Sequence, residues 1–234
     1  MKTGSCRRLA LISRPPRPVR RVVTRSGSIP RGFFPSLKNG QMVAYEQLLE
    51  ADACLLFEMS PRVRRYREQP ARVWFPDEDQ IHRYTLDYEL ELIDGRRVLV
   101  EIKPENQLRR PEVRGRMDLI QEYMAEQEVP FLVLTDDTIR QQPRLNNLRV
   151  LWRDAPLAST PDDSLCHITR RLISARVQTF GALTSRLSRG TALILFARGY
   201  ATCSLASNVT NDTPISLSVE KDHVWFQIAP RYGF

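Results

Sequence analysis

The stretch that most constrains this chain is residues 85–103, TLDYELELIDGRRVLVEIK. Thr85, Asp87, Glu89 and Glu91 alternate with Leu86, Tyr88, Leu90 and Leu92, so a strand of period two sends the acids to one face and the apolar residues to the other. Asp94-Gly95 supplies a hairpin turn. Beyond it Val98, Val100 and Ile102 alternate with Leu99, Glu101 and Lys103, which places Glu101 and Lys103 on a shared face.

An acid on one strand and Glu-x-Lys on its hairpin partner form the pattern Leu86-Asp87…Glu101-Ile102-Lys103, which resembles the acid centre of restriction-endonuclease-like nucleases of the PD-(D/E)xK type. Phosphodiester hydrolysis calls for carboxylate oxygens around a hard divalent cation and a positive charge near the scissile phosphate. Adjacent strands run about 4.8 Å apart, so Asp87 and Glu101 can face one ion when the register aligns them. The same residues also fit a charged sheet face with cross-strand ion pairs, and Glu89 and Glu91 are assigned to such a solvated face.

Charge is distributed unevenly. Ten of the 35 lysines and arginines lie in the first 45 residues, which contain no acid, and the rest of the chain is close to neutral. Residues 1–32 lack hydrophobic periodicity and form a basic arm, in which Arg14, Arg17, Arg20 and Arg21 suit contacts to the phosphates of double-stranded DNA. No apolar run reaches the roughly 18 residues of a membrane-crossing helix. Four scattered cysteines and three histidines offer neither a C-x-x-C pair nor a zinc set, consistent with a reduced, cytoplasmic setting.

The remaining elements follow in order. The apolar spacing over 44–58 predicts a helix on which Glu46 and Glu50 stand one turn apart on one stripe. Residues 63–69 read as a connector, 70–75 as a strand, and 76–79 as a turn. A helix over 108–128 starts near Pro111, with Arg109, Arg110, Arg114 and Arg116 crowding its beginning as a second candidate DNA contact. Val129–Thr135 and Leu148–Trp152 read as strands. The resulting fold class is α/β, a restriction-endonuclease-like core with a mixed sheet flanked by helices over 33–153. A linker over 154–163 leads to a small winged-helix-like C-terminal domain over 164–234. That domain is expected to hold a helix marked by Leu165, Ile168, Leu172, Ala175 and Val177 and ending at Gly181, two shorter helices near 183–187 and 191–200, and a hairpin of 215–219 with 224–228.

Over residues 33 to about 230 the chain resembles the TnsA endonuclease subunit of multi-component cut-and-paste transposons. The likeness is carried by Phe34-Pro-Ser-Leu-Lys38, Tyr45-Glu-Gln-Leu-Leu-Glu50, Leu56-Phe-Glu58, Val63 through Tyr66-Arg-Glu-Gln-Pro70, Leu86-Asp87 and Glu101-Ile-Lys103. It implies a metal-dependent DNA endonuclease that cleaves the 5′ ends of the transposon beside a TnsB-like transposase and a TnsC-like AAA+ ATPase regulator. Carried over position by position, it implies Glu50 and Asp87 as ligands of Mg²⁺ or Mn²⁺ and Lys103 as the catalytic cation. The residue two before the lysine is glutamine in some members and glutamate here, as in the wider nuclease superfamily, which makes Glu101 an additional expected ligand. Glu46, one turn from Glu50, is the alternative helix acid. Two other readings remain: a free-standing restriction or junction-resolving nuclease, and a non-catalytic DNA-binding adaptor of a transposition complex.

Overall fold

The computed structural model describes residues 31–77, 80–155, 160–220 and 224–234. The basic arm, including Arg14, Arg17, Arg20 and Arg21, lies outside them. So do residues 78–79 of the expected turn, 156–159 of the expected linker and 221–223 of the expected second hairpin. The chain order is β1 (Gly32–Ser36), β2 (Gln41–Tyr45), α1 (Leu48–Met59), β3 (Val63–Glu68), β4 (Arg72–Asp77), β5 (Gln80–Thr85), β6 (Tyr88–Leu92) and β7 (Arg97–Ile102). It continues with α2 (Glu105–Leu108), α3 (Pro111–Glu126), β8 (Phe131–Leu134), α4 (Asp136–Ile139), α5 (Arg144–Trp152), α6 (Asp162–Ser174), α7 (Phe180–Thr184), α8 (Arg189–Ala197), β9 (Ala201–Cys203) and β10 (Ile215–Leu217).

The central sheet has the order β3-β6-β7-β8. Its first three strands run antiparallel and β7 pairs with β8 in parallel, which makes the sheet mixed. The turn between β6 and β7 forms at Asp94-Gly95, where Gly95 takes a left-handed φ of 85° that a side chain would resist. Strand β7 is buried on both faces, as its unbroken apolar run requires. Val98, Val100 and Ile102 point with Tyr88, Leu90 and Leu92 into a large core shared with α1. Leu99 points the other way, into a small cluster with Met117, Ile120 and Met124 of α3, Val73 of β4, Leu86 and Phe131. Helices thus flank both faces of the mixed sheet.

Residues 63–69 are no connector. They form edge strand β3, whose arginines pair with the acids of β6: Arg65 opposes Glu91 and Arg67 opposes Glu89. The ion-pair distances are 2.7 and 3.4 Å. Glu89 and Glu91 are therefore not a solvated face, and Glu89 is buried. Each half of this ladder looks soluble alone, and only the pairing hides it. The strand expected over 148–152 is likewise the end of helix α5. Leu145, Leu148 and Leu151 recur every third residue and turn inward against α1, a period masked by Val150 and Trp152. Asp52 on α1 fixes this packing through Arg140 at 2.8 Å and Arg149 at 2.6 Å.

In the C-terminal part, α6, α7 and α8 precede an antiparallel β9–β10 pair, and a bridge joins Thr179 to Pro214. Thr179 and Ser188 cap α7 and α8 by accepting the amides of Ala182 and Thr191. The partner of β10 is β9, not residues 224–228 as expected. That apolar segment fills the core instead: Trp225 packs on Phe196 at 5.2 Å and donates its indole N–H to the Met59 carbonyl at 3.2 Å. Helix α8, Phe226 and Phe234 consequently belong to the same core as α1 and the sheet. The tail returns to the sheet, where the Tyr232 hydroxyl donates to the Phe131 carbonyl at 2.7 Å. Among the described residues, no helix is long and apolar enough to cross a membrane.

Candidate active site

Three elements bring the predicted acids together at the end of β7. Asp87 does not sit within a strand as expected. It lies at a bend between β5 and β6. Leu86, fully buried in the small cluster, anchors one side of the bend, and the Gln69 amide donates to the Asp87 carbonyl at 2.7 Å. Because the chain bends here, the ladder to β7 stops and the Ile102 amide takes the Asp87 side chain as its acceptor, at 2.8 Å from Oδ2. Asp87 thus closes the sheet end while its other carboxylate oxygen takes no part in that bond.

Glu101 points to the α3 side with Leu99 and is completely buried. Its Oε1 accepts from Lys103 Nζ at 2.5 Å and from the Tyr84 hydroxyl at 2.5 Å. Its Oε2 is buried and accepts a hydrogen bond from no described residue. Glu50 is the third residue of α1, whose first turn favours an acid. Its Oε2 accepts the Glu46 amide at 2.8 Å. Glu46 itself precedes the helix, so the two glutamates do not share a helical stripe. Both still act on the site by charge: Asp87 bears on Glu50, and Glu46 bears on Asp87 and Glu50.

The electrostatics show mutual repulsion. Burial, reinforced by Asp87, pushes Glu50 up to about 7. Burial likewise raises Asp87, against the opposing effects of Lys103, the Ile102 amide and a side-chain hydrogen bond with Glu101. Glu101 stands well above the carboxylate range through burial and then the charge of Asp87. Burial works against the Lys103 ammonium, yet Glu101 and Asp87 hold its pKa above the ordinary lysine value. A nest of acids carrying one orphaned oxygen is what a hard cation would relieve, since oxygen donors suit Mg²⁺ and a cation restores the charged carboxylates. Glu50, Asp87 and Glu101 are thus oxygen donors of the type a hard divalent ion takes. As they stand, no three His, Cys, Asp or Glu groups among the described residues are gathered closely enough to make a finished metal cage.

The other predicted residues divide. Arg109, Arg110, Arg114 and Arg116 are all exposed around the start of α3, and Arg114 lies 3.9 Å from Asp118. The charge of Arg116 reaches Tyr84, at the edge of the acid centre. Two residues at the site escaped the sequence. Tyr84 on β5 was hidden because 85–92 reads as a single strand, whereas the chain bends at Asp87 and β5 is separate. Gln69, buried and at a φ of 42°, lies beside Asp87. Its position before Pro70 was its only local signal.

No curated protein matches this sequence. Residues 60–136 match the family model described as TnsA-like endonuclease N terminal. The matched span runs from the end of α1 to the start of α4, and includes the whole central sheet, α3, Asp87, Glu101 and Lys103. The match over residues 60–136 supports a TnsA-type endonuclease.

Proposed function

We propose that this protein is the metal-dependent DNA endonuclease subunit of a heteromeric transposase and cuts the 5′ ends of the transposon during cut-and-paste transposition. The observation that carries the reading is the repelling cluster of Glu50, Asp87 and Glu101 against Lys103, within and beside the matched span. Bound there, Mg²⁺ or Mn²⁺ would supply Lewis-acid polarisation of the phosphate and a more acidic water. Asp87 and Glu101, with Glu50, would hold that ion. Lys103, relieved of part of its pairing to Glu101, would place its ammonium against the charge that develops on the scissile phosphate.

Exposed Arg109, Arg110, Arg114 and Arg116 supply positive charge for the DNA backbone beside this centre, and the basic arm with Arg14, Arg17, Arg20 and Arg21 extends it by composition. Support for a winged-helix-like C-terminal module is the order α6, α7, α8 followed by the β9–β10 pair. A TnsB-like transposase and a TnsC-like AAA+ ATPase are the partners this reading calls for.

The test is a reconstituted transposition reaction with Asp87→Ala and Lys103→Ala. Loss of 5′ cleavage with 3′ cleavage retained is expected, whereas unchanged 5′ cleavage refutes the proposal. Robust sequence-specific cutting by the isolated chain would favour a free-standing nuclease. Absence of any thermal shift with Mg²⁺ or Mn²⁺, even with DNA present, would favour an adaptor.

A further inference from the structure

Glu101 is held in an asymmetric way. Both of its hydrogen-bond donors, the Tyr84 hydroxyl and Lys103 Nζ, converge on Oε1 at 2.5 Å each, while Oε2 has none from the described residues. Two donors on one oxygen fix the plane and rotation of a carboxylate whose side chain would otherwise have several rotamers. The donors are of different kinds. Lys103 carries a flexible ammonium that also faces Asp87 and Glu50, whereas Tyr84 is a stiff aromatic with two rotatable bonds. Tyr84 is packed against the small cluster under α3, and its ring lies 5.9 Å from the Lys103 ammonium.

We infer that Tyr84 is a positioning residue: it pins Glu101 Oε1 so that Oε2 is presented, beside Asp87, to the divalent cation. The inference rests on the metal-nuclease reading above. It follows that when Lys103 turns toward a phosphate, Tyr84 remains to hold Glu101. It follows too that the β4–β5 hairpin, which lies outside the central sheet, carries part of the metal site. A purely structural Tyr84 would serve by its ring alone, and the hydroxyl would be dispensable.

Tyr84→Phe removes only that hydroxyl. In the full chain, Mn²⁺ binding measured by calorimetry should weaken about tenfold, as expected for losing an outer partner of a metal-ligating carboxylate. The thermal midpoint of the metal-free protein should stay close to that of the wild type. In a Glu101→Gln background the same substitution should weaken Mn²⁺ binding no further, because Tyr84 acts through Glu101. That comparison also decides the matter if Tyr84→Phe destabilises the fold, since a packing role predicts the same loss in both backgrounds. Mn²⁺ affinity of Tyr84→Phe within about twofold of the wild type would overturn the inference, as would an equal loss in the Glu101→Gln background. If the wild type binds Mn²⁺ and Asp87→Asn abolishes binding, such a result sinks Tyr84 alone. A wild type that neither binds Mn²⁺ nor nicks DNA sinks the metal-nuclease reading and this inference together.

Discussion

Helix α1 carries a buried acid near each end, and each acid lies near a lysine. At the C-terminal end, Glu58 is saturated: Oε2 accepts the hydroxyls of Ser36 at 2.7 Å and Tyr66 at 2.9 Å, and Oε1 accepts the Lys38 amide at 3.0 Å. Lys38 Nζ in turn donates to the carbonyls of Phe57 at 3.0 Å, Val63 at 2.6 Å, and Ser60. It thereby satisfies the helix-end carbonyls of Phe57 and Ser60 and ties them to the start of β3. About 12 Å along the helix axis, Glu50 lies within the influence of Asp87, in a cluster where acids outnumber the one lysine and a Glu101 oxygen has no donor among the described residues. Burial of an acid is common to both ends. What separates a clamp from a site is whether the hydrogen-bonding capacity is used up within the protein.

Substitutions at the two ends should therefore have opposite signatures. The largest effect is expected for Asp87→Asn, which should reduce nicking on the order of 10³-fold, about 4 kcal/mol of barrier. It should nonetheless stabilise the metal-free protein by about 1 kcal/mol, because a buried charge that repels Glu50 and Glu101 is gone. Chemical denaturation with and without Mn²⁺ checks this, and a destabilised variant would make Asp87 a structural acid like Glu58.

Glu58→Ala should do the reverse. It strands Ser36, Tyr66 and the Lys38 amide, and should cost about 3 kcal/mol of stability. Nicking per folded molecule should remain, as measured at a temperature where the variant is fully folded. Catalytic loss beyond the unfolded fraction would mean that the clamp shapes the site.

The smallest effect concerns Lys38. Burial pushes it down to about 7 from the ordinary 10.5. Between these values the folded chain binds fewer protons than the unfolded one, so this group makes stability rise with pH through that window. The denaturation midpoint of the wild type should gain from this group between pH 7 and about 9.5, and Lys38→Met should flatten that part of the slope. An equally steep rise in the variant would assign the effect elsewhere.

The same contrast explains what could be read from the chain. The β6–β7 hairpin, its Asp-Gly turn, helix α3 beginning at Pro111 and the apolar run of β8, whose Leu132 and Val133 are only half-buried, depend on local periodicity and turn chemistry, and the sequence discloses them. Strand β3 was illegible because its arginines are hidden by acids more than twenty residues away. Helix α5 was missed because its inward leucines are interrupted by Val150 and Trp152. The segment 224–228 alternates like a strand, yet the space beside Met59 and Phe196 takes Trp225 as core.

By itself the sequence determined the chemical types of the site: two carboxylates and a lysine on a hairpin, glutamates one turn apart beside or within a helix, and a basic N-terminal composition. These follow from residue identity and from the period of a strand or helix, which are local properties. Tertiary structure alone decided that Asp87 lies at a bend and accepts the Ile102 amide, that Glu50 is helical while Glu46 is not, and that Tyr84 reaches Glu101. It also decided which buried acid is saturated and which is left wanting. Hydrogen-bond satisfaction depends on donors that arrive from distant parts of the chain, and no local pattern encodes their arrival.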